Sequence, residues 1–96
     1  MATLLTQAEI ESALPELPGW AFTDDRLQLT TELASFPAVL ALVAAVGEVA
    51  EQRNHHPDID IRWRTVTFAC TTHSAGGVTQ RDVELAQQVA ALLAEA

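Results

Sequence analysis

The three histidines of this 96-residue chain, His55, His56 and His73, all fall in one short stretch, and histidine is the side chain that gives and takes a proton near neutrality. Two of them are adjacent, in Glu51-Gln52-Arg53-Asn54-His55-His56-Pro57. Trp63, His73 and Asp82 follow at fixed distances. Glu51 stands one helical turn before His55, where a carboxylate could hold a ring. Pro57 biases His56 away from helical dihedrals, so a helix should end there. The chemistry that suits such a set is general acid and base catalysis.

Other chemistries fit less well. Zinc sites usually draw on ligand pairs spaced to share one side of a turn or helix, as in His-Glu-x-x-His, and no such pair is present; adjacent histidines splay apart. No metal is therefore expected, and no cofactor. Cys70 lies among alternating apolar residues and reads as a buried thiol, and neither it nor Ser74 sits in a nucleophile elbow. Some residues have a structural reading of their own. Asp82 suits the third position of a helix, where an acid completes a capping box. Glu51 reads equally as a solvated helix residue, and a lone His73 at a strand end as a surface residue. Trp20 and Trp63 read as core or interface fillers.

Composition narrows the partners. Thirteen acidic side chains face five arginines, with no lysine and a net charge of −8. Clustered positive charge is what binds nucleic acid or an anionic membrane, so neither is an expected partner. The N-terminus lacks the pattern of a secretory signal, which points to the cytoplasm, and the longest apolar run, Phe36 to Gly47, is too short to span a bilayer. About half of the residues are apolar, enough for one domain over residues 1–96.

The elements that position the histidines follow from periodicity. Thr6-Gln7-Ala8-Glu9 has the form of a capping box and predicts a first helix to about Leu14, stopped by Pro15. Gly19 to Phe22 reads as a strand and Asp24-Asp25 as a turn. A second strand then carries Leu27, Leu29, Thr31 and Leu33 on one face. Ser35 caps a long helix with Pro37 in its first turn. Phe36, Val39, Leu40, Val43, Val46 and Ala50 form its predicted core stripe. Leu42 and Val49, with Ala38, Ala41 and Ala45, add a second apolar flank, which predicts burial on two sides and contact with another subunit. Ile59, Ile61 and Trp63 alternate in one phase and Val66, Phe68 and Cys70 in the other, so the chain must turn near Arg64-Thr65. His73 lies in the polar loop that ends the fourth strand. Thr79 and Asp82 then cap a last helix with Leu85, Val89 and Leu92 on one face. The order α-β-β-α-β-β-α predicts an α+β fold: a four-stranded antiparallel sheet with three helices on one face.

Glu51, His55-His56-Pro57, Trp63, His73 and Asp82, at these spacings and without a gap, resemble the signature of the pterin-4a-carbinolamine dehydratases, also called 4a-hydroxytetrahydrobiopterin dehydratases. Gly19-Trp20, the Phe36-led helix, and Arg81-Asp82 with Leu85-Ala86 extend the resemblance over nearly the whole chain. It implies the same sheet and helices. It also implies a hydro-lyase that removes water from 4a-hydroxytetrahydropterin, the carbinolamine left when an aromatic amino-acid hydroxylase oxidises its tetrahydropterin. The product is quinonoid dihydropterin, and the role is tetrahydrobiopterin recycling. By position, His55, His56 and His73 become the catalytic set. Asn54, Thr71, Thr72 and Ser74 join them in binding substrate, and Glu51 and Asp82 become supporting residues. Acid and base are left unassigned among the histidines, with His56 and His73 as the working proton-exchanging pair and His55 as the group that orients the hydroxyl. The implied assembly is a homodimer or homotetramer. Thr31, Leu33 and Ile59 stand where relatives commonly carry aromatics, which bears on oligomer contacts and one pocket wall. The alternative is a non-catalytic protein-binding, assembly or coactivator module on the same scaffold, because fold alone does not fix function.

Overall fold

The structure is a computed structural model that describes residues 3–96. Thr6 caps the first helix, α1 (Gln7–Ala13): its hydroxyl accepts from Glu9 N–H while the Glu9 carboxylate accepts from Thr6 N–H. Pro15 does not simply halt the chain. It fits the start of a 3-10 turn, Leu14–Glu16, because the first turn of such a helix needs no proline N–H. Strand β1 (Trp20–Thr23) and strand β2 (Arg26–Glu32) form the expected hairpin. Its two-residue turn puts both Asp24 and Asp25 at positive φ, the twist that tight hairpins favour.

Helix α2 (Phe36–Arg53) starts with Ser35 accepting from Ala38 N–H. Strand β3 (Asp58–Arg62) and strand β4 (Thr65–Cys70) form the second hairpin, turning at Trp63-Arg64, one residue earlier than predicted. A 3-10 turn, His73–Ala75, leads to helix α3 (Gln80–Ala94). Sheet order is β1-β2-β4-β3, antiparallel throughout. Opposed residues in antiparallel strands share a face, so Trp20, Leu29 and Phe68 lie in one row and Phe22, Leu27 and Cys70 in another. That face meets the helices and carries the buried core, with Leu27, Val66, Phe68, Cys70, Leu85 and Ala86 fully enclosed. The opposite face is polar. Thr30 and Thr67 share a hydrogen bond across it at 2.8 Å. No helix among the described residues is long and apolar enough to cross a membrane.

Helix α2 departs from its predicted stripe. Val39, Leu42, Val46 and Ala50 are buried, whereas Phe36 and Leu40 are 42% and 45% exposed. The inward face is set a position away from the one chosen from spacing, because a helix with apolar residues nearly all round has no polar side to fix its rotation. Leu42 belongs to the core, and Phe36 and Leu40 face out. Trp63 is not a core residue of this chain: it is 70% exposed within it, at φ 53° in the hairpin turn, with the Arg64 guanidinium 4.6 Å from its ring centroid.

Candidate active site

Two chain reversals bring the histidines together. At the end of α2, Asn54 takes the left-handed conformation, φ 49° and ψ 43°, which asparagine tolerates better than most residues. Asn54 N–H then bonds the Glu51 carbonyl at 3.2 Å and His55 N–H the Ala50 carbonyl at 3.1 Å, closing the helix as a Schellman motif. This reversal turns His55 inward, to 8% exposure, and leaves His56 outside. Beyond β4, Thr72 pairs with Gly77 around the His73–Ala75 turn. Gly76 ends that turn at φ 80°, where a side chain would be strained. His73 is thereby held exposed at the sheet end beside the helix end.

All three histidines line one cleft of about 400 Å³, together with Asn54, Pro57, Asp58, Thr71, Thr72, Ser74 and Arg81. Every residue placed in the catalytic or binding set from sequence is on that wall. Asp82 lies buried behind it, and Glu51 stands exposed beside His56. The volume is within the roughly 300–1,000 Å³ of small-molecule sites, and the lining is more polar than most.

The partners of the rings differ from the simplest reading of spacing. Glu51 does not reach His55; its Oε2 lies 3.6 Å from His56 Nε2, and both side chains are exposed. His55 instead meets Asp82, with Nε2 2.5 Å from Oδ1. Asp82 is wholly buried, and its second oxygen accepts from Thr72 Oγ1 at 2.7 Å and from Thr79 N–H at 2.9 Å. The capping role read from sequence is therefore real, and the same carboxylate also grips a cleft histidine. Thr71 donates to the Asp25 carbonyl at 2.9 Å, tying the cleft to the β1–β2 turn.

Arg81 is the lining residue that sequence reasoning passed over. Its Nη2 donates to the Asn54 carbonyl at 2.8 Å and the Arg53 carbonyl at 3.4 Å, placing a cation against the C-terminal end of α2. Pro57, read from sequence as the helix stop and part of the signature rather than as cleft lining, and Asp58, not singled out there, also line the cleft. The signal for Arg81 was its place beside Asp82, since whatever brings Asp82 to His55 brings its neighbour to the same helix end.

Cys70 is no nucleophile. Burial pushes its thiol up from 9.0 to about 12, and the Asp82 and Asp58 carboxylates push the same way. Thiolate, the reactive form, is scarce at neutral pH. The unfolded thiol ionises first as pH rises, so stability from this group is complete below about pH 9 and is lost as pH climbs toward 12. Full titration is worth on the order of 4 kcal/mol. The chain has no lysine and no tyrosine, so no other side chain titrates in the lower part of that window. Urea unfolding of Cys70→Ala at about pH 8 to 10.5 should show a flatter alkaline decline than the parent. Parallel declines would remove Cys70 as its source.

The family model described as Pterin 4 alpha carbinolamine dehydratase matches residues 3–92. A relative from Nocardia farcinica, named for that family, is 55% identical over 86 residues covering 90% of each chain. Another so named, from Roseiflexus sp., is 52% identical over 89 residues, covering 93% of this chain and 96% of the relative. Among solved structures, a transcriptional coactivator/pterin dehydratase from Brucella melitensis superposes with a TM-score of 0.88 at 29% identity, covering 92% of this chain and 96% of that one. With the signature intact and its histidines gathered in one cleft, the chain belongs to the pterin-4a-carbinolamine dehydratases, a family of hydro-lyases.

Proposed function

We propose that this chain, acting as a single domain, dehydrates 4a-hydroxytetrahydropterin to quinonoid dihydropterin in the cytoplasm by histidine acid–base catalysis without a metal. The turnover would serve tetrahydrobiopterin recycling behind an aromatic amino-acid hydroxylase. In the reaction the C4a–O bond breaks as its oxygen takes a proton and leaves as water. The proton on the neighbouring ring nitrogen is removed, and its electrons close the C4a–N double bond. One group must give a proton and another accept one, at the oxygen and the ring nitrogen that are both bonded to C4a of a single bicyclic ligand. The observation that carries this reading is the convergence of His55, His56 and His73 on one cleft. His56 and His73 are exposed in it and free to exchange protons with substrate and then with water, whereas His55 is held by Asp82 and suits orientation of the departing hydroxyl. Asn54, Thr71, Thr72 and Ser74 complete the binding wall, and Glu51 steadies His56.

The test is the decay of freshly generated 4a-hydroxytetrahydropterin, followed by absorbance with and without protein, each in the absence and in the presence of a chelator. Faster decay with the protein is expected. No acceleration would reject the activity, and acceleration abolished by the chelator would reject metal-free catalysis.

The same reading includes self-association into a homodimer or homotetramer. Phe36 and Leu40 are exposed on α2, and a groove of about 320 Å³ lined by Ala38, Ala41, Leu42, Ala45 and Leu92 runs between α2 and α3. Exposed apolar surface on one helix of so small a chain favours burial against a copy of itself. Light scattering at micromolar concentration should return a multiple of the 10.3 kDa chain mass. A monomeric mass would defeat this part.

A further inference from the structure

The floor of the cleft carries a run of hydrogen bonds whose direction is dictated by its donors. Arg81 N–H donates to Thr79 Oγ1 at 3.3 Å, and Thr79 N–H and Thr72 Oγ1 both donate to Asp82 Oδ2. A threonine hydroxyl has one proton to give. Thr72 spends its proton on Asp82, so the 2.8 Å contact between the two hydroxyls must be a bond from Thr79 to Thr72 oxygen. A carboxylate only accepts. Its remaining oxygen, Oδ1, therefore takes a proton from His55 Nε2. Thr72, Thr79 and Asp82 are all buried, so water does not compete for these bonds.

We propose that the run Thr79–Thr72–Asp82 locks His55 in the tautomer protonated on Nε2, leaving Nδ1 as an acceptor, and that Thr72 and Thr79 are positioning residues for the dehydration. Nδ1 bonds no protein group among the described residues and is not sealed from solvent. As an acceptor it takes the hydrogen of a bound 4a-hydroxyl, which turns the oxygen lone pairs toward whichever neighbouring histidine delivers the proton. The opposite tautomer would present an N–H there and compete for those same lone pairs. This deepens the dehydratase reading and rests on it for the role, while the tautomer itself is a property of the folded chain alone. Thr72 stays on the cleft wall, but it does not donate its hydroxyl proton to substrate: that one proton is committed inward.

The tautomer is read directly from two-bond proton–nitrogen correlations of the histidine rings in nitrogen-15-labelled protein. His55 should show a protonated Nε2 and an unprotonated Nδ1. In Asp82→Asn the backbone N–H of Thr79 and the Thr72 hydroxyl fix the amide oxygen on their side, turning the NH₂ toward His55. The ring must then accept at Nε2 and carry its proton on Nδ1. The resonance pattern should invert and kcat should fall about a thousandfold or more, the scale of a wrong tautomer in a triad histidine. Thr72→Val keeps the shape and removes both bonds; kcat should fall about tenfold with KM nearly unchanged, and Thr72→Ser should restore it. A rise in KM with kcat preserved would make Thr72 a substrate contact and overturn the positioning role. A wild-type His55 protonated on Nδ1, or an Asp82→Asn protein with unchanged resonances and normal kcat, would overturn the lock. Wild-type protein inert toward the carbinolamine would end the catalytic role, with the lock then judged by the resonances alone.

Discussion

Replacing His73 with alanine is expected to lower turnover by about a hundredfold or more, the usual contribution of one general acid or base. The side chain is exposed at the start of a three-residue 3-10 turn, and no protein hydrogen bond to its ring is present among the described residues. Truncation should therefore leave the fold alone. The turn is held by backbone bonds from Ala75 and Gly76 to the Thr72 and His73 carbonyls and by the Thr72–Gly77 pair, none of which needs the imidazole. A loss of rate with an unchanged urea midpoint is thus a chemical effect. Near-normal turnover would remove His73 from the mechanism and leave His56 as the one exposed ring. His56→Ala should behave similarly. Glu51→Gln should cost far less, because a 3.6 Å pair between exposed side chains contributes little.

The amount of this that was legible in the sequence depended on how many alternatives each pattern left open. The two hairpins were readable because alternation leaves a strand only two faces, and Leu27, Leu29, Val66 and Phe68 chose the same one. The ends of α1 and α3 were readable from Thr6-Glu9 and Thr79-Asp82, where local chemistry alone closes the cap. The rotation of α2 was not. Its first turns are apolar all round, so Phe36 and Leu40 competed with Leu42 for the core and only packing against the sheet and α3 decided between them. At the site, the gathering of the histidines followed from topology, since the end of α2 and the end of β4 must lie together. The pairing within it did not. Helical spacing favoured Glu51 as the partner of His55, but the left-handed Asn54 ends the helix first and swings His55 away to Asp82. A residue twenty-seven positions distant cannot be chosen by periodicity.

The second large effect falls on stability. Asp82→Ala should lower the free energy of unfolding by about 3–5 kcal/mol, the cost of removing one member of a buried polar pair and leaving the other unmatched. Three donors lose their acceptor together: His55 Nε2–H, the Thr72 hydroxyl and Thr79 N–H. Two of these can be relieved in part, since Thr72 can turn its proton toward Thr79 and His55 retains slight exposure. Thr79 N–H has no second choice, and it opens α3, the helix that covers the sheet through Val83, Leu85, Ala86 and Val89. The loss is large against the roughly 5–15 kcal/mol available to a typical domain. Urea unfolding should show a lower midpoint with the slope preserved, because the surface exposed on unfolding is unchanged. Asp82→Asn should lose less than the alanine variant, since it keeps an acceptor for Thr79 N–H, and yet lose as much activity or more per folded molecule. That split separates the two jobs of the carboxylate. If Asp82→Asn kept the parental rate per folded molecule while Asp82→Ala lost stability, Asp82 would be a helix cap alone and its contact with His55 would carry no function.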